Sequence, residues 1–212
     1  MELADNLLQL CCVSICGLYA CISAVRQRSN AWLFLALFYL SFWIGIVYWA
    51  LYLALFQCAP QVFCVSELNW TTSYIFLSLR LLWEMPPEER RCKSGVFPWC
   101  FPAFSFAMCV FFWQRGSYLE NILMGSAIAV CGFYGAKGLL FARRKGQKGR
   151  AAVCLATLLF YGAEYLLWLS SYLWIDDFLF NPYFITDTLL LNPALIFLTI
   201  AQYREGKGCL TI

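Results

Sequence analysis

Seven long apolar runs occupy this chain, and its basic residues fall almost entirely into alternate gaps between them. The runs cover residues 7–25, 31–56, 68–85, 96–113, 118–142, 151–175 and 178–203. A helix needs roughly 20 apolar residues to cross the hydrocarbon core of a bilayer, so each run reads as a membrane-crossing helix. Of the 15 lysines and arginines, all but Arg80, Arg115 and Lys137 stand in four places. Arg26 and Arg28 follow the first run, and Arg90, Arg91 and Lys93 follow the third. Arg143, Arg144, Lys145, Lys148 and Arg150 follow the fifth, and Arg204 and Lys207 follow the seventh. Seven crossings put these four places on one side, which the positive-inside bias makes cytoplasmic. The other side holds Arg115 against Glu2, Asp5, Glu67, Glu120, Asp176 and Asp177. The expected fold is an all-α bundle of seven transmembrane helices forming one domain over residues 1–212. Its N-terminus is expected outside and its C-terminus in the cytoplasm, in the plasma membrane.

Composition closes the alternatives. Hydrophobic residues make up 62% of the chain and charged residues 13%, against about 25% charged in soluble domains. So much apolar surface needs the lipid bilayer as its partner. The gaps leave no room for a kinase, nucleotide-binding or nucleic-acid-binding domain. The net charge of +3 is the topological bias itself and implies no nucleic-acid partner. The densest basic stretch, 143–150, reads either as an anchor on anionic headgroups or as a dock for an acidic cytoplasmic protein.

Cysteine and histidine usage narrows the chemistry. Most of the 12 cysteines lie inside apolar runs, where a thiol acts as a small hydrophobe. Only Cys58 and Cys64 share an external gap, which makes them the candidate pair for a disulfide in an oxidising exterior. The chain has no histidine, which removes the usual zinc and haem ligand and the usual general base. No metal or cofactor is called for. The sequon Asn69-Trp70-Thr71 abuts the third run and is read as a chance match.

The ends of the runs carry their own signals. Glu2 and Asp5 precede the first run and the basic flank follows it, so that run is expected to be retained, not cleaved as a signal peptide. The third run stops at Pro86-Pro87, which cannot continue a helix. In the fourth, Pro98 suits a first turn, whereas Pro102 either bends the helix or marks its true start. Pro193 interrupts the seventh. Gly125, Ala129, Gly132 and Gly135 form a smooth strip on run five, suited to close packing against another helix or to a thin wall beside a ligand.

The most informative residues are the charges inside the runs. Arg80, Glu164 and Asp187 lie within runs three, six and seven. Each costs at least about 2.5–3.5 kcal/mol at the bilayer centre, so each is expected to face the bundle interior. Two arrangements fit. Arg80 joins Glu164 and Asp187 in a buried triad that receives a ligand or proton, or Arg80 pairs with Glu84 one turn on and Glu164 bonds to a tyrosine. Tyr161 and Trp168 share a face with Glu164 and suit a small polar or cationic ligand by cation–π attraction. Asn192 is expected on a different side from Asp187, next to a proline kink.

Seven helices with an outside N-terminus are also the plan of G-protein-coupled receptors and microbial rhodopsins, but the motifs differ. Asn192-Pro193-Ala194-Leu195-Ile196 has isoleucine where the receptors carry tyrosine, and run seven has no lysine for retinal. Nor do Ala163-Glu164 and Thr186-Asp187 fit the motifs of intramembrane aspartyl proteases. The expected function is a non-catalytic module that binds a small molecule or senses, acting through a partner. A proton-linked permease using the buried carboxylates is the alternative, and an intramembrane enzyme the remotest.

Overall fold

The computed structural model of the chain describes residues 2–58, 60, 65–113, 118–173 and 181–208. All the elements in them are helical. They are α1 (Glu2–Gln27), α2 (Asn30–Phe56), α3 (Val65–Trp83), α4 (Pro87–Arg91), α5 (Val96–Phe111), α6 (Tyr118–Arg144) and α7 (Lys148–Leu173). The chain ends with α8 (Pro182–Thr186), a π turn (Asp187–Leu191) and α9 (Asn192–Gly208), which run on as one helix.

Five stretches are long and apolar enough to cross a membrane: Leu3–Gln27, Asn30–Phe56, Tyr118–Arg144, Lys148–Leu173 and Pro182–Gly206. The chain is therefore an all-helical membrane protein. The third and fourth runs fall short for different reasons. α3 has 19 residues but carries Glu67, Arg80 and several serines and threonines. α5 is strongly apolar but has 16 residues, a length of about 24 Å.

Local sequence explains where the helices stop. Arg28 adopts a left-handed φ of 47° and Ser29 is extended, which turns the chain between α1 and α2. Gly146, at φ 69°, closes the α6–α7 turn, where a residue with a side chain would be strained. Pro86 and Pro87 separate α3 from α4, and Pro102 sits inside α5. The last span opens on an Asn181 cap, whose side-chain oxygen accepts the Tyr183 N–H at 2.9 Å, with Pro182 in the first helical position. The π turn directly precedes Pro193, which has no N–H to give to the preceding turn.

Neighbouring helices form a ring. In order around it come α1, α2, α3, α6, α7 and the last helix, which returns to α1; α5 lies on α6. The centre is apolar. Phe160 of α7 meets Phe38 and Phe42 of α2 and Tyr74 of α3 at ring-centroid distances of 5.4, 6.2 and 5.8 Å. Leu77, Leu195 and Leu198 are fully buried around them. The α6 strip is a packing surface: a Cβ on Gly132 would lie 2.8 Å from the Tyr161 ring and 2.9 Å from Phe101.

The basic stretches gather at one end of this ring, called here the basic end. Arg80 near the end of α3 binds Glu205 near the end of α9. A Cβ on Gly149, at the start of α7, would fall 2.7 Å from the Glu205 Cα, so the two backbones touch there. Lys137 donates to the Arg90 carbonyl at 3.4 Å, and the α1 terminus brings Gln27 alongside Gly206. Arg143, Arg144, Lys145 and Lys148 are exposed, as a headgroup anchor requires. Arg150 departs from that expectation and is buried. The starts of α1 and α8 mark the opposite, far end. Cys64 lies outside the described residues, and with it the Cys58–Cys64 pairing.

Candidate functional site

The three intramembrane charges of the sequence separate into two centres. At the basic end, Arg80 is wholly buried and donates Nε to Gln202 Oε1 at 2.6 Å and Nη2 to Glu205. Its partners are therefore on α9, and neither Glu84 nor the two interior carboxyls receive it. Beside it, Arg150 donates Nη2 to the Leu81 carbonyl at 3.1 Å and to Glu89 Oε2 at 3.2 Å. Burial pushes the Glu89 carboxyl above its ordinary range, and the Arg150 guanidinium draws it partly back. Arg150 stands in the first turn of α7, where a cation opposes the helix dipole, so Glu89 offsets an unfavourable placement. These two ion pairs tie α3, α4, α7 and α9 together.

The far half holds Asp5, Glu164 and Asp187, all at least nine-tenths buried. Their hydrogen-bond donors are neutral. Gln9 Nε2 gives to Asp187 Oδ1 at 2.6 Å, Thr188 Oγ1 to Asp5 Oδ1 at 3.0 Å, and Tyr74 Oη to Glu164 Oε2 at 2.8 Å. Asp5 is bonded by Thr188, the residue after Asp187, and Asp187 by Gln9, one turn along α1 from Asp5, which sets the two acids side by side. Among the described residues, Asp5 Oδ2 and Glu164 Oε1 find no partner, nor does either amide atom of Asn192. Among the described residues, the arginines and lysines lie towards the basic end and none stands in this half. Two carboxyls this close in an apolar setting cannot both stay ionised without a cation, so the cluster holds a proton or takes a positive ligand.

The π turn alters the register of the last helix. Its i→i+5 bond runs from the Asn192 N–H to the Asp187 carbonyl, so roughly five residues complete the turn. Asn192 is thereby brought towards the Asp187 side, whereas an unbroken α-helix would carry it well away. The Asn192 carbonyl receives the Cys12 thiol at 3.8 Å.

Tyr161 and Trp168 belong to another surface. The Tyr161 hydroxyl donates to the Phe101 carbonyl at 2.9 Å and meets Ser105 at 3.0 Å, so it faces α5. Trp168 packs on Tyr165 at 5.4 Å. Asp5 and Gln9 complete the cluster and were not singled out by the sequence, although their i, i+4 spacing on one face of an apolar helix is the signal that would find them.

Access differs between the two sides of the cluster. A groove of about 330 Å³ at the far end is lined by Ala4, Asp5, Leu8, Phe184, Thr188 and Leu189, among others. Towards the basic end, the buried layer of Leu77, Phe160, Leu195 and Leu198 lies between the two centres. Among the described residues, no group of three or more cysteines, aspartates or glutamates is placed to hold a metal ion. Compared with family models, curated proteins and solved structures, the chain matches none.

Proposed function

We propose that this chain is a non-catalytic membrane module that binds a small cationic ligand in its far half and passes that state to a cytoplasmic partner. In this reading all seven apolar helices cross the plasma membrane, with the far end outside. Supporting the threading, the stretches that follow α1, α3 and α6 meet the last turns of α9 at the basic end, as alternate loops of a seven-crossing chain must. The observation that carries the function is the carboxyl cluster: among the described residues Asp5, Glu164 and Asp187 have neutral donors only, with Asp5 on a groove at one end and an apolar layer towards the other. A positive ligand completes such a site, and the apolar backing favours occupancy over passage. The last helix carries Asp187 near one end and Glu205 near the other, so it is the element that reports one centre to the other. The exposed basic side chains of the α6–α7 turn are the surface offered to an acidic partner.

The buried carboxyls also favour a second reading, a proton-linked permease. Reconstitution into liposomes separates the two. The binding module gives no cation or proton flux above protein-free liposomes under an imposed pH gradient. In detergent, ammonium or methylammonium raises its unfolding temperature, and Asp187→Asn removes that rise. Flux that Glu164→Gln abolishes would establish the permease and overturn the module.

A further inference from the structure

We infer that the far-end groove between α1 and the last helix is a binding site for a single-chain alkylammonium, with its head on Asp5 and its tail along the apolar walls. This rests on reading the far half as a cation site and names the class of cation it takes. The groove holds about 330 Å³ and is bounded by Ala4, Leu8, Phe184, Ile185 and Leu189, with Asp5 and Thr188 supplying its polar atoms. Asp5 is 8% exposed, and its Oδ2 has no protein partner while Oδ1 is occupied by the Thr188 hydroxyl. Asp5 lines the groove, and its Oδ2, buried just beneath that wall without a donor, is an acceptor that a small turn of the side chain would present to a ligand.

The apolar part of the ligand follows from the walls. Leu8, Ile185 and Leu189 are 50%, 42% and 64% exposed, so the groove opens sideways towards lipid. Asp5 lies at the end of the first turn of α1, close to where its apolar stretch begins. A head at that depth sits at the membrane surface and its chain runs down beside Leu8 and Leu189, the geometry an amphiphile already has in a bilayer. A primary ammonium can donate to Asp5 Oδ2 and remain beside Asp187, so it also relieves the repulsion between the two acids. A phosphatidylethanolamine head brings the same ammonium but sets its phosphate against those acids, which disfavours it.

The test uses the full chain in phosphatidylcholine nanodiscs, with dodecylammonium, dodecanol and dodecanoate as probes and the unfolding midpoint as readout. Dodecylammonium raises the midpoint saturably, whereas dodecanol and dodecanoate at equal load do not. Asp5→Asn shifts half-saturation by about ten-fold or more. Leu8→Trp, which fills the groove from an exposed position, does the same, and it decides the matter alone should Asp5→Asn fail to fold. Equal responses to dodecylammonium and dodecanol, or unchanged saturation in both variants, would overturn the proposal. So would competition by added phosphatidylethanolamine, which would make the ligand a membrane lipid. If methylammonium stabilises the protein while dodecylammonium does not, the groove is wrong and the deeper site stands.

Discussion

The basic end and the far half of this bundle bury comparable numbers of ionisable groups and treat them in opposite ways. At the basic end each buried cation has an anion: Arg80 meets Glu205 and Arg150 meets Glu89. In the far half the buried charged groups among the described residues are acids, and Asp187, Asp5 and Glu164 are held by an amide, a hydroxyl and a phenol. Both arrangements offset the cost of desolvation, but only the first does so within the chain. A matched pair ties helices together and has no need of a ligand. An unmatched cluster stays neutral by holding protons, or becomes complete when something positive arrives. The difference marks one end as a fastening, and it is the ground for proposing recognition at the other.

The strongest way to break that contrast is Arg80→Leu. It leaves Glu205 and Gln202 facing an apolar neighbour, and removing one member of a buried ion pair costs about 3–5 kcal/mol. Chemical denaturation in detergent is expected to show a loss of that order. In Arg80→Leu with Glu205→Leu, where no orphaned charge remains, most of it should return. If the single variant is nearly as stable as the parent, the basic end is not a fastening.

Much of this was readable from residue types. The helical class and the gathering of basic stretches followed from the apolar runs and the charges between them, because lipid leaves so few options for a backbone. The partner of Arg80 did not follow. The seventh run, read by hydropathy, ends at Tyr203, so Glu205 counted as tail; α9 continues to Gly208 and turns Gln202 and Glu205 inward at i, i+3. Hydropathy marks where lipid stops, and this helix outlasts it. The π turn was equally hidden, since the proline advertised a kink but not an extra residue in the preceding turn. That extra residue moves Asn192 from the far side of the helix towards Asp187. Asp5 was counted as a flanking charge, because nothing local shows that α1 would lie against the last helix.

A milder test reverses the sign. Asp187→Asn keeps an oxygen for Gln9 and removes a buried acid next to Asp5. Its unfolding midpoint is expected to be unchanged or higher, within about 1 kcal/mol. A fall as large as that of Arg80→Leu would mean that Asp187 has a cationic partner in the folded protein, and the two centres would no longer be different in kind.

The smallest effect sharpens the account of the basic end itself. Burial raises Glu89 more than Arg150 lowers it, so the folded chain holds that proton more tightly than the unfolded one does. The sign follows from linkage: the contribution of this group to stability declines as pH rises from the ordinary carboxylate range through the raised value, then levels off. Denaturation midpoints of the parent and of Glu89→Gln, measured upward from about pH 4, should differ by a shallow slope that starts in the ordinary carboxylate range. The amide variant should be the flatter of the two. A parent that instead gains stability as pH rises would show Arg150 winning over burial, with Glu89 ionised throughout. The basic end would then be a stronger fastening than its burial alone implies, and the gap between it and the far half would widen.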